Sequence, residues 1–370
     1  MLYQFFLKLG KIAPWLLLFI IPAFLLIYWI NSSMLAAYSP RSTEEVTFVV
    51  APLWDLMRLS QELENKKIVR NGVSIRWFGG LRKLQITAGE YSLSPGLKPR
   101  DVIDRLMKGE RVKHGLTLTP CMTVDEVIKL IGQSALVSEK EAADSLHDAQ
   151  LMINLGLRKP VPEGYLMAGS YDFSRPINPR QIVQTLVEGA KKKLEEAVPE
   201  LNSRAAELGF TPYDILTLAS IVEKESPTPE LRPRLASVYH NRLRIGMPLQ
   251  SDQALLYGMP NHHGEITQVE INQPGPYNTY LNTSLPPTPI CSPEIDAIRA
   301  VLNPEDSDFL HISRLADGGL EFSATFKQHQ EKMKRPPNPA ITSPAPAAAR
   351  GKKNNQADAT IKDILEDNSK

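Results

Sequence analysis

The sequence predicts an α+β protein: an N-terminal transmembrane helix, a small α/β module and a larger mixed α+β domain. Three observations carry this. Residues 12–30 are apolar and carry no charge. Short β-branched runs alternate with amphipathic helical patterns over residues 45–133. Longer helical patterns, broken by a Pro/Gly/Asn-rich stretch, fill residues 134–333. The expected division is a cytoplasmic N-terminus (1–11), a transmembrane helix (12–30), a linker (31–44), the first module (45–133), the second domain (134–333) and a disordered tail (334–370).

The 19 residues 12–30 approach the ~20 that a helix needs to cross a hydrocarbon core. Trp15, Tyr28 and Trp29 stand near the ends, where aromatic belts form. Lys8 and Lys11 precede the span, whereas Arg41 and the acids Glu44 and Glu45 follow it, so the bulk of the chain is expected outside the cytoplasm. The run exceeds a typical signal-peptide core, and the small-residue site after it is poor, which favours an uncleaved anchor.

In the first module, Val46–Val50 reads as a strand, and Leu53, Leu56, Met57, Ser60 and Leu63 recur at helical spacing. A short strand over 88–93 precedes a turn at Ser94-Pro95-Gly96 and a helix ending at Gly109. A third strand over 115–119 leads to a helix that Thr123 and Glu126 open as a capping box. The module lacks a Gly-rich phosphate loop. Residues 134–205 read as mostly helical, with a break at 160–165. A helix starts at Thr211 with Pro212 in its first position, and others cover about 229–244 and 293–302. The irregular stretch between them, 258–293, reads as a binding loop. After Met333 the Pro/Ala-rich tail cannot bury a core.

The hydrophobic share is 42% and the charged share 22%, which suits a globular protein. A formal net charge of +1 offers no domain-wide basic excess for nucleic acid. Cys121 and Cys291 lack metal or redox spacing and read as two partly buried thiols, with one disulfide left open for an exported chain. His262-His263 lacks companion ligands, so the reading is a polar loop and no metal.

The chemistry is expected on the helix over 211–226. At about 100° per residue, Glu225 shares a face with Ile215, Leu218, Ile221 and Val222, while Glu223 lies about 200° away. A carboxyl held against apolar side chains has its ionised form disfavoured, which suits a general acid. On the helix pattern alone, a solvent-facing terminal Glu is the commoner arrangement.

The motifs around this helix change that balance. Ala219-Ser-Ile-Val-Glu-Lys-Glu-Ser226 is followed by Val238-Tyr-His-Asn-Arg-Leu243, Met247-Pro-Leu-Gln-Ser-Asp252, Leu256-Tyr-Gly258, Tyr277-Asn-Thr-Tyr280 and Leu285-Pro-Pro287. In this order they resemble the endolytic lytic transglycosylase family, the MltG or YceG-like proteins. Glu163-Gly-Tyr165, Ala88-Gly-Glu-Tyr91 and the anchor extend the resemblance over roughly 45–333. It implies a membrane-anchored enzyme of the bacterial inner membrane, with its catalytic domain in the periplasm. The implied reaction cleaves the bond between N-acetylmuramic acid and N-acetylglucosamine in peptidoglycan strands and leaves a 1,6-anhydro end. It needs no cofactor, and the partners implied are glycan strands, the membrane and peptidoglycan synthases. Carried over by motif, Glu225 is the catalytic acid, and Asn241, Gln250, Asp252, Tyr277 and Asn278 are substrate-binding candidates. Asn241 and Asn278 could equally buttress a helix or a turn. The first module resembles a LysM-like domain, for which glycan contact and a spacer role are equally open.

The chain also departs from the family pattern. Met167-Ala-Gly169 replaces a Phe-Pro-Asp run, and Cys121 interrupts a Pro-Glu-Gly. Ser284, Glu294 and Glu321 stand where Gly, Gly and His are usual. These departures keep two alternatives open: a non-catalytic glycan-binding scaffold, and a hydrolytic muramidase with Asp252 as its second carboxylate.

Overall fold

The computed structural model describes residues 21–28, 35–315 and 318–333. Residues 21–28 are helical, with exposed apolar side chains including Phe24, Leu25 and Ile27. The remainder of the expected span, 12–20 and 29–30, lies outside the described residues, as do 1–11 and the expected tail 334–370. Among the described residues no helix is long and apolar enough to cross a membrane.

The fold is mixed α+β with small antiparallel sheets, and its buried apolar side chains fall into three clusters among the described residues. In the first, β1 (Val46–Val50) pairs with β2 (Gly89–Leu93), Val46 opposite Leu93. The two-residue period buries Phe48 and Val50 and exposes Thr47 and Val49. Against this ribbon pack α1 (Leu56–Asn65), α2 (Gly72–Leu81) and α3 (Pro99–Lys108). Helix α3 stops at Gly109, whose left-handed φ of 66° a glycine adopts freely. The periodicity does not announce α2, because its Gly79-Gly80 pair has low helix propensity. Asn71 caps it by accepting the Val73 N–H at 2.8 Å, and Leu56 packs where Gly79 has no side chain.

The second cluster contains β3 (His114–Leu118), α4 (Val124–Gln133), α5 (Glu139–Leu146), α6 (Ala149–Asn154), β4 (Gly169–Phe173) and α7 (Pro179–Ala197). The capping box between Thr123 and Glu126 opens α4. Strand β3 pairs with β4, Leu116 opposite Tyr171. The residues of the expected 45–133 module therefore lie in two clusters. Strand β3 and helix α4 pack with later residues, a long-range pairing that local periodicity cannot register.

The third cluster draws on α8 (Leu201–Glu207), α9 (Pro212–Glu225), α10 (Arg232–Arg244) and α11 (Asp252–Tyr257). Helix α12 (Gln268–Ile271) follows in the irregular stretch and adds nothing to it. Helix α13 (Ile295–Leu302) and the hairpin β5 (His311–Arg314)/β6 (Leu320–Ser323) complete the cluster, and α14 (Phe326–Met333) lies beside the hairpin, the Phe326 ring 5.7 Å from that of His311. Thr211 caps α9 and Pro212 starts it. From Ile215 to Val222 every side chain of α9 is buried, which makes it the central helix. Ile215, Leu218, Ile221 and Val222 are fully enclosed, each contributing about 1.5–3 kcal/mol on the transfer scale.

The two cysteines are not separate thiols. They form a disulfide, with Cα atoms 4.9 Å apart across a sequence separation of 170 residues. The link fastens the turn before α4 to the loop before α13, and beside it the Ser292 N–H donates to the Met122 carbonyl at 3.0 Å. Sequence spacing hides this pairing because the fold, not the local chain, brings the two turns together.

Candidate active site

Helix α9 ends at Glu225, and Ser226 turns the chain into an extended conformation. The Glu225 side chain therefore leaves the apolar stripe at the helix terminus. Its residue is only 9% exposed, and its two carboxyl oxygens meet polar donors that the helical-face reading does not anticipate. Oε1 accepts the Ser251 hydroxyl at 2.7 Å and the Gln253 N–H at 3.3 Å. Oε2 accepts from Arg314 Nη2 at 3.0 Å. Polar donors thus meet both oxygens of the carboxyl.

Each donor comes from a local feature of the chain. Ser251 is the N-cap of α11, and its oxygen accepts the Ala254 N–H at 3.2 Å while its hydrogen goes to Glu225. Gln253 lies in the first turn of that helix, where backbone N–H groups have no intrahelical partner. Arg314 ends β5, opposite Leu320 of β6. The carboxyl reaches a cavity of about 250 Å³ that is also lined by Tyr239, Arg242, Gln250, Asp252 and Tyr280. Arg242 braces its wall by donating through Nε to the Leu310 carbonyl at 2.8 Å. Burial, followed by the charge of Glu225, holds the Tyr239 phenol well above its ordinary pKa. Burial, then the hydrogen bond to Asp252, does the same for Tyr280.

Three of the candidate residues share this cavity: Glu225, Gln250 and Asp252. Gln250 adopts a positive φ of 54° and fixes its backbone by donating its N–H to the Thr279 carbonyl at 2.8 Å. Asp252 Oδ1 accepts the Tyr280 hydroxyl. The structure does not bring Asn241, Tyr277 and Asn278 to this cavity. Asn241 donates to the carbonyls of Ser307 (2.7 Å) and Phe309 (3.1 Å), bracing the loop that leads to β5. Asn278 donates to the carbonyls of Ile271 and Gln273 and accepts the Tyr280 N–H at 2.9 Å, shaping the turn that carries Tyr280. Tyr277 places its ring 4.8 Å from that of Tyr257 and shares a hydrogen bond with Thr288 at 2.7 Å. A short polar side chain spent on backbone carbonyls shapes the loop and has little left for a ligand.

Glu223 also differs from the helical reading. It diverges from Glu225 but is buried, accepting the Glu294 N–H at 2.7 Å and lying 3.6 Å from Arg232. Burial raises its pKa. A further buried acid, Glu163, is 1% exposed, and burial lifts its pKa to about 7 against hydrogen bonds from Tyr257 and Val124.

Among the residues that sequence reasoning passed over, Ser251 sits inside the quoted Gln-Ser-Asp run, and Tyr280 ends the Tyr-Asn-Thr-Tyr run. Arg314 had no such signal, since it lies 89 residues beyond Glu225. Of the departures, Glu294 lends its N–H to Glu223, and Glu321 lies 3.3 Å from Lys332. Among the described residues no group of three or more His, Cys, Asp or Glu could hold a metal ion. His262 is engaged by Glu270 at 2.8 Å and by the Gly264 carbonyl at 2.9 Å.

A glutamate delivered by a central helix into a polar cavity, with hydroxyl, amide and guanidinium donors on its two oxygens, has the groups that acid–base chemistry requires. The particular family follows from comparison with known proteins: the model of the YceG-like family matches residues 48–335, and the chain belongs to that family. An endolytic murein transglycosylase of Bacillus subtilis is 24% identical over 302 residues, covering 77% of this chain and 81% of the relative. One from Streptococcus pneumoniae is 26% identical over 325 residues, covering 79% of this chain but 58% of the relative. The crystal structure of a putative YceG-like protein from Listeria monocytogenes matches with a TM-score of 0.54 at 25% identity, covering 79% of this chain and 100% of that one.

Proposed function

We propose that this protein is an endolytic peptidoglycan lytic transglycosylase with Glu225 as its single catalytic acid and base. The observation that carries this reading is the Glu225 carboxyl at the cavity, held by donors from Ser251, Gln253 and Arg314. The names of the relatives supply the substrate class.

In the proposed reaction Glu225 gives its proton to the glycosidic oxygen between N-acetylmuramic acid and N-acetylglucosamine. The bond from the anomeric carbon to that oxygen breaks, and the muramic C6 hydroxyl forms the new bond to the anomeric carbon. The C6 hydroxyl proton passes to Glu225, which restores the acid. No water is consumed, so the chemistry requires no second carboxylate. After the first transfer Glu225 is a carboxylate, and the three fixed donors are aimed at the charge that develops there. Gln250 and Asp252 are the candidate sugar contacts, because an amide and a carboxylate suit hydroxyl and N-acetyl groups. Asn241, Tyr277 and Asn278 are assigned to shaping the site.

The finer placement is part of the same proposal. Residues 12–30 anchor the chain, the part of 45–133 from β1 to α3 acts as a LysM-like module near the membrane, and the remainder to residue 333, with β3 and α4 packed into it, works in the periplasm beside the synthases. A disulfide between Cys121 and Cys291 supports an oxidising compartment.

The test is digestion of uncrosslinked glycan strands by the full chain in detergent, wild type and Glu225→Gln, with mass spectrometry of the new ends. Anhydro ends from wild type and none from Glu225→Gln are expected. Reducing ends would favour the hydrolytic muramidase with Asp252. Absence of cleavage by folded wild type would favour a scaffold.

A further inference from the structure

We propose that Glu163 is a positioning residue for this reaction, acting on Glu225 through Tyr257 and helix α11. The inference rests on the reading of Glu225 as the catalytic acid. Two donors on the Glu225 carboxyl, the Ser251 hydroxyl and the Gln253 N–H, come from the start of α11. A helix of six residues cannot hold its own direction, so its direction comes from what grips its ends. At the N-terminal end the Ser251 N–H donates to Thr279 Oγ1 at 2.9 Å. At the C-terminal end the Tyr257 hydroxyl donates to Glu163 Oε2 at 2.8 Å. That same oxygen accepts the Val124 N–H, from the first turn of α4, at 3.1 Å.

The site around Glu163 is built for this contact. The next residue, Gly164, has a φ of 90°, and a Cβ there would lie 2.7 Å from Pro289 Cγ. Only a glycine lets the turn press this closely on Pro289 and carry Glu163 inward. Glu163 Oε1 is buried without a hydrogen-bond partner. Burying an acid with one oxygen idle is unfavourable, and an apolar residue would fill the space better. What the acid adds is the oxygen that joins α4 to α11. Glu163 lines a second cavity of about 430 Å³ together with Lys224, Gln253 and Tyr257, and it does not line the one that Glu225 enters. It therefore acts through α11, not on the reacting atoms.

The experiment compares kcat and KM of the full chain on uncrosslinked glycan strands for wild type, Glu163→Gln, Glu163→Leu, Tyr257→Phe, the Glu163→Leu/Tyr257→Phe double variant and Glu225→Gln. Glu163→Leu and Tyr257→Phe should each lower kcat about tenfold with KM within about twofold, as expected for a displaced acid and an intact binding surface. The double variant should fall no further than the worse single one, because both changes break one contact. Glu163→Gln should stay within about threefold of wild type, since one amide oxygen can accept both hydrogen bonds. A folded Glu163→Leu or Tyr257→Phe with wild-type kcat would overturn the inference, as would losses that multiply in the double variant, or a Glu163→Gln as poor as Glu163→Leu. If Glu163→Leu does not fold, Tyr257→Phe, which loses a single oxygen atom, decides alone. An inactive Glu225→Gln beside a fully active Tyr257→Phe would sink the positioning role and leave the function standing. An active Glu225→Gln would overturn both.

Discussion

Arg314 Nη2 lies 3.0 Å from Glu225 Oε2, and this pair joins the end of the central helix to the edge of the β5/β6 hairpin. The Arg314 side chain is 54% exposed, whereas that of Glu225 is 11% exposed. Ser251 and Gln253 hold the other oxygen from the protein side, so Arg314 is the donor that faces solvent.

Arg314→Ala should therefore lower kcat about 10- to 100-fold, with a smaller change in KM, because the lost donor matters most when the carboxylate charge develops. Arg314→Lys should recover part of the loss through its charge but not the guanidinium geometry. Steady-state kinetics on glycan strands read both. A wild-type kcat for Arg314→Ala would remove this residue from the mechanism.

Ser251→Ala tests a residue with two tasks. The substitution removes a donor to Glu225 and the N-cap of α11. We expect kcat to fall about 10- to 100-fold, with a stability loss of about 1 kcal/mol for the cap. Denaturant titration alongside kinetics separates the two effects. A stability loss without a kinetic one would leave Ser251 as a cap alone.

These two donors illustrate what the sequence can carry. The start of α9 at Thr211-Pro212, the capping box at Thr123 and the stop at Gly109 are local features, and local chemistry made them legible. For Glu225, a motif singles it out and the helix period separates it from Glu223, and the structure brings its carboxyl to a polar cavity. The surroundings of its carboxyl were not legible. Periodicity places the stem on an apolar face, but the helix ends at that residue, and the groups that meet its head come from segments 26 and 89 residues away. Asn241 and Asn278 carry the right chemistry for sugars, yet backbone carbonyls consume it, and only tertiary structure reveals that. The same holds for the Cys121–Cys291 disulfide and for the pairing of β3 with β4.

Glu163 gives the protein a pH-dependent stability. In the folded chain burial sets its pKa at about 7, while a glutamate in the unfolded chain titrates near 4.3. Between these values the folded state binds more protons than the unfolded one. Stability from this group is thus full below about pH 4.3 and declines as pH rises to about 7. At 1.36 kcal/mol per pKa unit the decline is on the order of 4 kcal/mol. Unfolding curves of wild type and Glu163→Gln at several pH values across this window should diverge, with wild type losing stability relative to the variant as pH rises. Parallel curves would contradict the buried titration.

The Cys121–Cys291 disulfide closes a long loop, and its removal as Cys121→Ser/Cys291→Ser should destabilise the fold by roughly 2–5 kcal/mol. Thermal melts with and without reductant should shift for wild type and not for the double variant. A reductant-insensitive melt of wild type would argue that the two sulfurs are not bonded in solution.

The central claim is that Glu225 drives a transglycosylation in which the sugar's own hydroxyl, not water, attacks. Its most direct test is cleavage of uncrosslinked glycan strands in water carrying a heavy oxygen isotope, with mass analysis of the new ends from wild type and Glu225→Gln. The expected result is unlabelled 1,6-anhydro ends from wild type and no new ends from Glu225→Gln. Labelled reducing ends, or undiminished cleavage by Glu225→Gln, would contradict it.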